Sequence, residues 1–185
     1  MGYTTDFEGK FTLNKELTDK MFNFLRLFNE TRRMKRNVDG AFGIEGEFFV
    51  FGGGSYGQDR EENIVDYNGA PSTQPGLWCQ WTPTEDRMGI EWDGGEKFYY
   101  YTEWLVYLIN KVLAPNGYVL NGVVEWDGED RRDIGTITVI DNKVFTSEDS
   151  GEILPKDNVR TDIVLILDNE SGVNLDFTNM RLLEE

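Results

Sequence analysis

The chain has 185 residues, 39% of them hydrophobic and 14% aromatic, and a formal net charge of −16. This length and apolar content are enough for one buried core and exclude a disordered acidic tail. Residues 1–50 are balanced in charge, whereas residues 51–185 hold 26 acidic and 10 basic side chains. Such an excess disfavours nucleic acid and anionic membranes and favours basic partners.

The residue types exclude much enzyme chemistry. The chain has no histidine and a single cysteine, Cys79, so it lacks His-activated nucleophiles, His-ligated metals and internal disulfides. Cys79 lies in the aromatic run of residues 77–81, which predicts a buried, inert thiol. The residues at the start of the sequence and its short apolar runs disfavour export, membrane insertion and myristoylation. We therefore expect a cytoplasmic, non-enzymatic protein.

The first half of the chain predicts a strand, a helix and a series of short strands. Residues 3–13 alternate as a strand does, and residues 17–28 have helical spacing after a cap at Asn14 or Thr18. The basic cluster at 32–36 is interpreted as solvated cations that end this helix, with an anion contact as the alternative. Further strands are predicted at 47–51, 63–67, 77–81 and 87–92, and a flexible glycine loop at 52–58.

The second half predicts one helix and then mostly strands. An apolar stripe at 98–112 indicates a helix that ends at the Pro-Asn-Gly of 115–117. Together the pattern predicts an α+β fold, with a mainly antiparallel sheet and two amphipathic helices packed on one face. Residues 1–146 are predicted to form one domain, and 147–185 an acidic extension packed on it. Strands are predicted at 118–126, 134–140, 144–146 and 162–167, and an exposed acidic segment at 147–160.

A repeated Glu-Trp-Asp-Gly motif supplies the candidate site. It occurs at 91–94 and 125–128, each time at the end of a predicted strand and followed by further acids. Strand alternation places each Glu and Asp opposite its Trp, so four carboxylates meet if the two strands are neighbours. The candidate partner-binding residues are Glu91, Asp93, Glu96, Glu125, Asp127, Glu129 and Asp130.

Three interpretations of these carboxylates remain open. They are solvated charges at two similar strand ends, an acidic patch for a basic protein, or a metal or acid-base site. Crowded carboxylates need a compensating cation, and Ca²⁺ or Mg²⁺ is the ion that oxygen ligands prefer. The metal hypothesis rests on Glu91, Asp93, Glu125 and Asp127. No catalytic residue is assigned, and no other cofactor is expected.

Several segments resemble an uncharacterised family of small acidic bacterial and bacteriophage proteins. They are MGYTT at 1–5, TRRM at 31–34, QPGLWCQW at 74–81, EWDGGEKF at 91–98 and YVLNGVVEWDGED at 118–130. The similarity covers roughly residues 1–145. It implies a bacterial host cytoplasm and provides no catalytic residue to transfer.

These observations predict an acidic interaction protein that binds a basic protein surface. In a phage setting it would be an accessory factor that inhibits a host nucleic-acid-binding or defence protein. The first alternative is a small-molecule or divalent-metal binder, or a hydrolase, that uses the two motif ends. The second alternative is a homo-oligomeric structural protein.

Overall fold

The centre of the molecule is a seven-stranded antiparallel sheet. The structure, a computed structural model, describes residues 2–156, 159 and 162–167, together with the backbone of 174–176 and 181–183. The helices are α1 (Asp19–Glu30) and α2 (Tyr101–Leu108). The strands are β1 (Thr5–Leu13), β2 (Lys35–Arg36), β3 (Ile64–Asp66), β4 (Trp81–Pro83), β5 (Gly89–Trp92), β6 (Leu120–Gly128), β7 (Ile134–Ile140), β8 (Lys143–Thr146), β9 (Asp149–Ile153), β10 (Asn174–Asp176) and β11 (Arg181–Leu183).

The sheet order is β4-β5-β1-β6-β7-β8-β9, so the first strand of the chain lies between β5 and β6. β2 pairs with β3, and β10 with β11, in two separate two-stranded sheets. The predicted α+β class with a mainly antiparallel sheet is confirmed. No helix in the described ranges has the length and apolar character to cross a bilayer.

Both helices cover the same face of the sheet, because strand alternation gathers large apolar side chains there. On β1, Phe7 and Phe11 point inward and lie edge-to-face against the Trp81 ring of β4. The Trp81 Nε1 donates to the Tyr101 carbonyl at 2.8 Å, which ties the sheet to the start of α2. Full burial of each such side chain contributes roughly 1.5–3 kcal/mol.

The two helices begin and end differently. The Thr18 side-chain oxygen accepts a hydrogen bond from the Met21 amide at 3.2 Å and caps α1, so of the two predicted caps, Asn14 and Thr18, the second is the one observed. Helix α2 is shorter than its apolar stripe because the chain continues as a π-helical turn, Ile109–Leu113, and a 3-10 turn, Ala114–Asn116. Gly117, with φ of 80°, ends the helical segment where the sequence predicts a stop.

The basic cluster after α1 is not a set of solvated helix-ending cations. The helix ends at Glu30 with no basic residue in its last turn. The Arg33 and Arg36 side chains are buried, at 1% and 2% exposure. Arg36 forms an ion pair with Glu61 at 2.8 Å, so part of this cluster is structural.

The predicted strand at 47–51 is wrong. The segment follows two 3-10 turns, Gly40–Phe42 and Ile44–Gly46, and pairs with no strand. Gly43 and Gly46 have φ of 79° and 75°, which interrupts extended backbone. Residues 48–50 are nevertheless buried. Their apolar run therefore indicates burial but not a strand.

Two predictions near the C-terminus also need correction. Residues 147–152 are exposed, as predicted, but residues 149–153 also form β9 on the edge of the main sheet, where the sequence predicts no strand. The boundary predicted after residue 146 thus falls in the turn between two paired strands. Residues 162–167 form no strand, although Leu165 and Leu167 are buried in the core. The Leu165 amide donates to the Lys111 carbonyl at 2.9 Å.

Candidate functional site

The two Glu-Trp-Asp-Gly motifs are not on neighbouring strands, because β1 lies between them. Glu91 of β5 pairs with Lys10 of β1, and Lys10 pairs with Val123 of β6. From strand spacing and rise, the Cα atoms of Glu91 and Glu125 are about 12 Å apart. The condition for four convergent carboxylates therefore fails, and among the described residues no group of three or more His, Cys, Asp or Glu could hold a metal.

Strand β1 instead brings two acidic residues of its own against the second motif. Asp6 pairs with Asp127, and Glu8 pairs with Glu125. All four side chains are exposed, because the residues between them, Phe7 and Trp126, point into the core. We call Asp6, Glu8, Glu125 and Asp127 the acidic sheet face. Like charges directly opposite each other on a sheet are unfavourable, by roughly 0.2–1 kcal/mol per pair.

Apolar side chains continue this open face across β6 and β7. Val123, Ile134 and Ile140 are exposed by 51%, 60% and 53%. Ile134 and Thr136 line one groove of about 800 Å³ together with the four carboxylates of the acidic sheet face. Exposed apolar residues rimmed by polar groups are a feature of protein–protein contact sites.

Asp93 and Glu96 lie beyond the end of β5, and neither lines the groove of the acidic sheet face. The Asp93 carboxylate accepts hydrogen bonds from the Gly95 amide at 2.7 Å and from Asn29 Nδ2 at 2.9 Å. It thus fixes the turn after β5 and joins it to α1. Glu96 has an exposed side chain, and its backbone carbonyl accepts a hydrogen bond from Gln80.

Glu129 and Asp130 stabilise the turn between β6 and β7. Glu129 Oε1 accepts a hydrogen bond from the Thr4 amide at 2.7 Å. The Asp130 carboxylate accepts from the Arg132 side chain and amide, and these bonds lower the pKa of the Asp130 carboxyl. The structure therefore places Glu125 and Asp127 together on the acidic sheet face, and Glu129 and Asp130 in the adjoining turn.

Sequence reasoning missed Asp6 and Glu8 as site residues. Their signal was present, because the alternation in residues 3–13 already places them opposite Phe7. No local sequence pattern predicts that β1 pairs with β6. Without knowledge of that pairing, Asp6 and Glu8 are interpreted as ordinary solvated charges on a strand.

A buried ion pair lies on the helical side of the molecule and was also missed. The side chains of Glu47 and Lys111 are fully buried, with Nζ and Oε1 3.2 Å apart. Tyr107 and Thr73 donate their hydroxyls to the same Glu47 oxygen at 2.8 and 3.0 Å. Lys111 also donates to the Ile163 carbonyl at 2.7 Å. Burial raises the pKa of Tyr107 well above its ordinary value.

Arg33 adds a second buried cation beside this pair. Its Nη2 donates to the Glu47 carbonyl at 2.9 Å, and its guanidinium lies 4.3 Å from the Phe28 ring centre. Its Nε and Nη1 have no hydrogen-bond partner among the described residues. Burial lowers the pKa of Arg33 to about 10.

Cys79 is fully buried, and burial raises the pKa of its thiol to about 12. A thiol in that environment is protonated at neutral pH and is a poor nucleophile.

No protein-family profile matches the chain, and the comparisons with curated proteins and solved structures found no match. The function is therefore inferred from the chemistry of the described residues.

Proposed function

We propose that the protein is a non-enzymatic interaction protein that binds a basic protein surface through the acidic sheet face. The observation that carries the proposal is the direct pairing of Asp6 with Asp127 and of Glu8 with Glu125. Neither pair serves the core, and each costs stability. A cationic partner removes this cost by neutralising the repulsion.

The geometry of the face suits a partner with regularly spaced cations. Along each strand the carboxylates recur every second residue, about 7 Å apart, and across the strands they lie about 5 Å apart. Arginine and lysine side chains on a groove or helix can pair with such a two-by-two array. The net charge of −16 strengthens the encounter with a basic partner at low salt.

The apolar part of the face favours a protein as the partner. Val123, Ile134 and Ile140 offer surface that a folded protein can cover. Burial of that surface holds the partner after electrostatic attraction has oriented it. In the bacterial or phage setting that the resemblance implies, the partner class we propose is a host nucleic-acid-binding or defence protein, whose basic surface otherwise contacts phosphates.

The test compares three forms of the protein as baits in bacterial lysate. The first is the native chain. The second is a face variant with Asp6→Asn, Glu8→Gln, Glu125→Gln and Asp127→Asn. The third is a control with the same charge change at scattered exposed positions, Glu16→Gln, Glu62→Gln, Glu85→Gln and Glu152→Gln.

We expect the native and control baits to capture the same basic proteins at low salt and to release them as salt rises. The face variant loses them. If the face variant retains the captured proteins, or the control loses them equally, general charge and not this face governs the association, and the proposal is wrong.

A further inference from the structure

Three asparagines in the chain precede a glycine, and the fold gives each of them a different environment. The pairs lie at 68–69, 116–117 and 121–122. An Asn-Gly pair can modify itself, because the glycine nitrogen can attack the asparagine amide carbon, close a succinimide ring and release ammonia. Glycine favours the reaction, since it has no side chain to obstruct the ring and adopts a wide range of backbone angles. The rate at each pair therefore depends on how freely the side-chain amide and the next nitrogen can meet.

Asn116 is held rigidly in the core. It is 7% exposed, and its Nδ2 donates to the Val112 and Leu165 carbonyls at 2.6 and 2.7 Å. Its Oδ1 accepts a hydrogen bond from the Leu167 amide at 2.8 Å. The attacking nitrogen, that of Gly117, donates to a carbonyl of the preceding 3-10 turn at 3.0 Å. Ring closure at this pair therefore requires local unfolding.

Asn121 lies on β6, inside the main sheet. Gly122 pairs with Phe11 of β1 on one side and with Val139 of β7 on the other, so its nitrogen is fixed in paired backbone. The Asn121 Oδ1 accepts a hydrogen bond from the Asp141 amide at 2.9 Å. Closure at this pair requires separation of central strands, which is among the most costly local openings of a folded protein.

Asn68 lies in the turn after β3, and its side chain is exposed. Its Oδ1 accepts a hydrogen bond from Arg32 Nη2 at 3.3 Å, and its Nδ2 donates to none of the described residues. The turn is tethered by bonds from the Asn68 amide to Asp66 Oδ1 and from the Lys35 amide to the Gly69 carbonyl, and neither bond engages the Gly69 nitrogen. Exposed side chains change rotamer within nanoseconds, so the Asn68 amide can approach that nitrogen without unfolding of the core.

Arg32 supplies a positive charge at the reacting group. As the nitrogen attacks, the Asn68 amide oxygen becomes negative, and the guanidinium bonded to it stabilises that charge. Arg32 is held in place by Tyr67, since its Nε donates to the Tyr67 carbonyl at 3.1 Å and its guanidinium lies 4.7 Å from the ring centre. The same cation faces the carboxylate that forms when water opens the ring.

We propose that the Asn68-Gly69 pair is a site of self-modification, at which the amide is converted to aspartate or isoaspartate. The Gly69 nitrogen loses its proton and bonds to the Asn68 Cγ, the bond from Cγ to Nδ2 breaks, and Nδ2 takes up a proton and leaves as ammonia. Water then adds across one of the two ring bonds between carbon and nitrogen. The product carries one more negative charge than the native chain. In the isoaspartate form the main chain also gains a methylene group beside the β2–β3 pair.

The test is peptide mapping of the native protein after incubation for days at mildly alkaline pH. Mass spectrometry follows replacement of the amide by a carboxyl group in the peptides that contain the three pairs. We expect Asn68 to react at least about tenfold faster than Asn116 or Asn121, the ratio that an opening cost of about 1.4 kcal/mol gives. The same chain in guanidinium chloride is the control. There we expect the three rates to converge, because the reactive pairs are alike and only the fold distinguishes them.

Three variants make the result specific. Gly69→Ala places a methyl group beside the attacking nitrogen, and we expect slower reaction at Asn68 in the native and in the denatured chain. Gly40→Ala is the matched control, because its methyl group meets no atom within 4 Å, and it leaves the rate at Asn68 unchanged. Arg32→Gln removes the guanidinium from the amide oxygen. We expect it to slow the native reaction and to leave the rate in the denatured chain unchanged.

Two outcomes would overturn the proposal. The first is a rate at Asn116 or Asn121 in the native protein that equals or exceeds the rate at Asn68. The second is retention of the Asn68 amide in the native protein over a period in which the denatured chain loses it. A faster native reaction in Arg32→Gln would show that Arg32 restrains the turn, and it would remove Arg32 from the mechanism.

Discussion

Lys111→Met is a sharp test of the buried charge network. The change keeps the length of the side chain and removes the ammonium group that lies 3.2 Å from the Glu47 carboxylate. Glu47 keeps its hydrogen bonds from Tyr107, Thr73 and the Ile44 amide. It loses the cation that balances its charge in a site without exposure to solvent.

The expected loss of stability is about 3–5 kcal/mol, because removal of one partner leaves a buried charge uncompensated. The lost hydrogen bond from Lys111 to the Ile163 carbonyl falls within that range. Arg33 does not substitute for the ammonium, since it donates to the Glu47 backbone carbonyl and not to the carboxylate. For a chain of this size the loss corresponds to a fall in melting temperature of about 6–20 °C.

The assay is urea unfolding followed by tryptophan fluorescence, with Trp81 and Trp104 as buried reporters. The double variant Lys111→Met with Glu47→Gln removes both charges, and we expect it to recover stability relative to the sum of the single variants. A coupling energy of about 2 kcal/mol or more supports the description. A loss below about 1 kcal/mol for Lys111→Met, with an unchanged urea dependence, would refute the reasoning that this pair is desolvated and mutually dependent.

Three other predictions follow from the geometry. Glu8→Gln or Asp127→Asn relieves a like-charge pair and raises the free energy of unfolding by roughly 0.2–1 kcal/mol. The control Glu16→Gln changes the free energy of unfolding by less than about 0.5 kcal/mol. Equal effects at all three positions argue against the pairing. The raised pKa of Cys79, about 12, means that the folded state holds its proton while the unfolded state releases it above pH 9, so native stability falls as pH rises from 9 towards 12. In urea unfolding at pH 9 to 10.5, the free energy of unfolding should therefore fall less steeply with pH in Cys79→Ala than in the native chain, by up to about 1.4 kcal/mol per pH unit. Parallel pH dependences in the two proteins contradict the burial of the thiol. Millimolar Ca²⁺ or Mg²⁺ should shift the melting temperature by less than about 1 °C, and a larger, saturable rise means that a cation site exists after all.

The helices and most of the main sheet could be predicted because their signals are local. The α1 cap at Thr18, the apolar stripe of α2 and the alternation of β1 and β6 each appear within about a dozen residues. The same reasoning gave a wrong strand at 47–51, because these apolar residues are buried in irregular backbone between glycine turns. β9 was missed because none of its residues is buried enough to show an apolar face.

The candidate site was predictable only in part, because it depends on strand order. Alternation correctly placed Glu125 and Asp127 opposite Trp126. Alternation could not show that β6 pairs with β1 and not with β5, because long-range packing determines the strand order. The burial of Arg33, Glu47 and Lys111 was equally hidden, because charged residues carry no periodic signal when their partners are distant in sequence.

The central place of β1 has a consequence for synthesis on the ribosome. Thr5 pairs with Gly128, so the two residues are 123 positions apart. At roughly 5–20 residues per second, the amino-terminal strand waits about 6–25 s before its β6 partner is made. Until then β1 can pair only with β5, so the edge of β1 that β6 will cover stays open. Nascent-chain chaperones are therefore expected to engage this segment, and the sheet can close only late in translation.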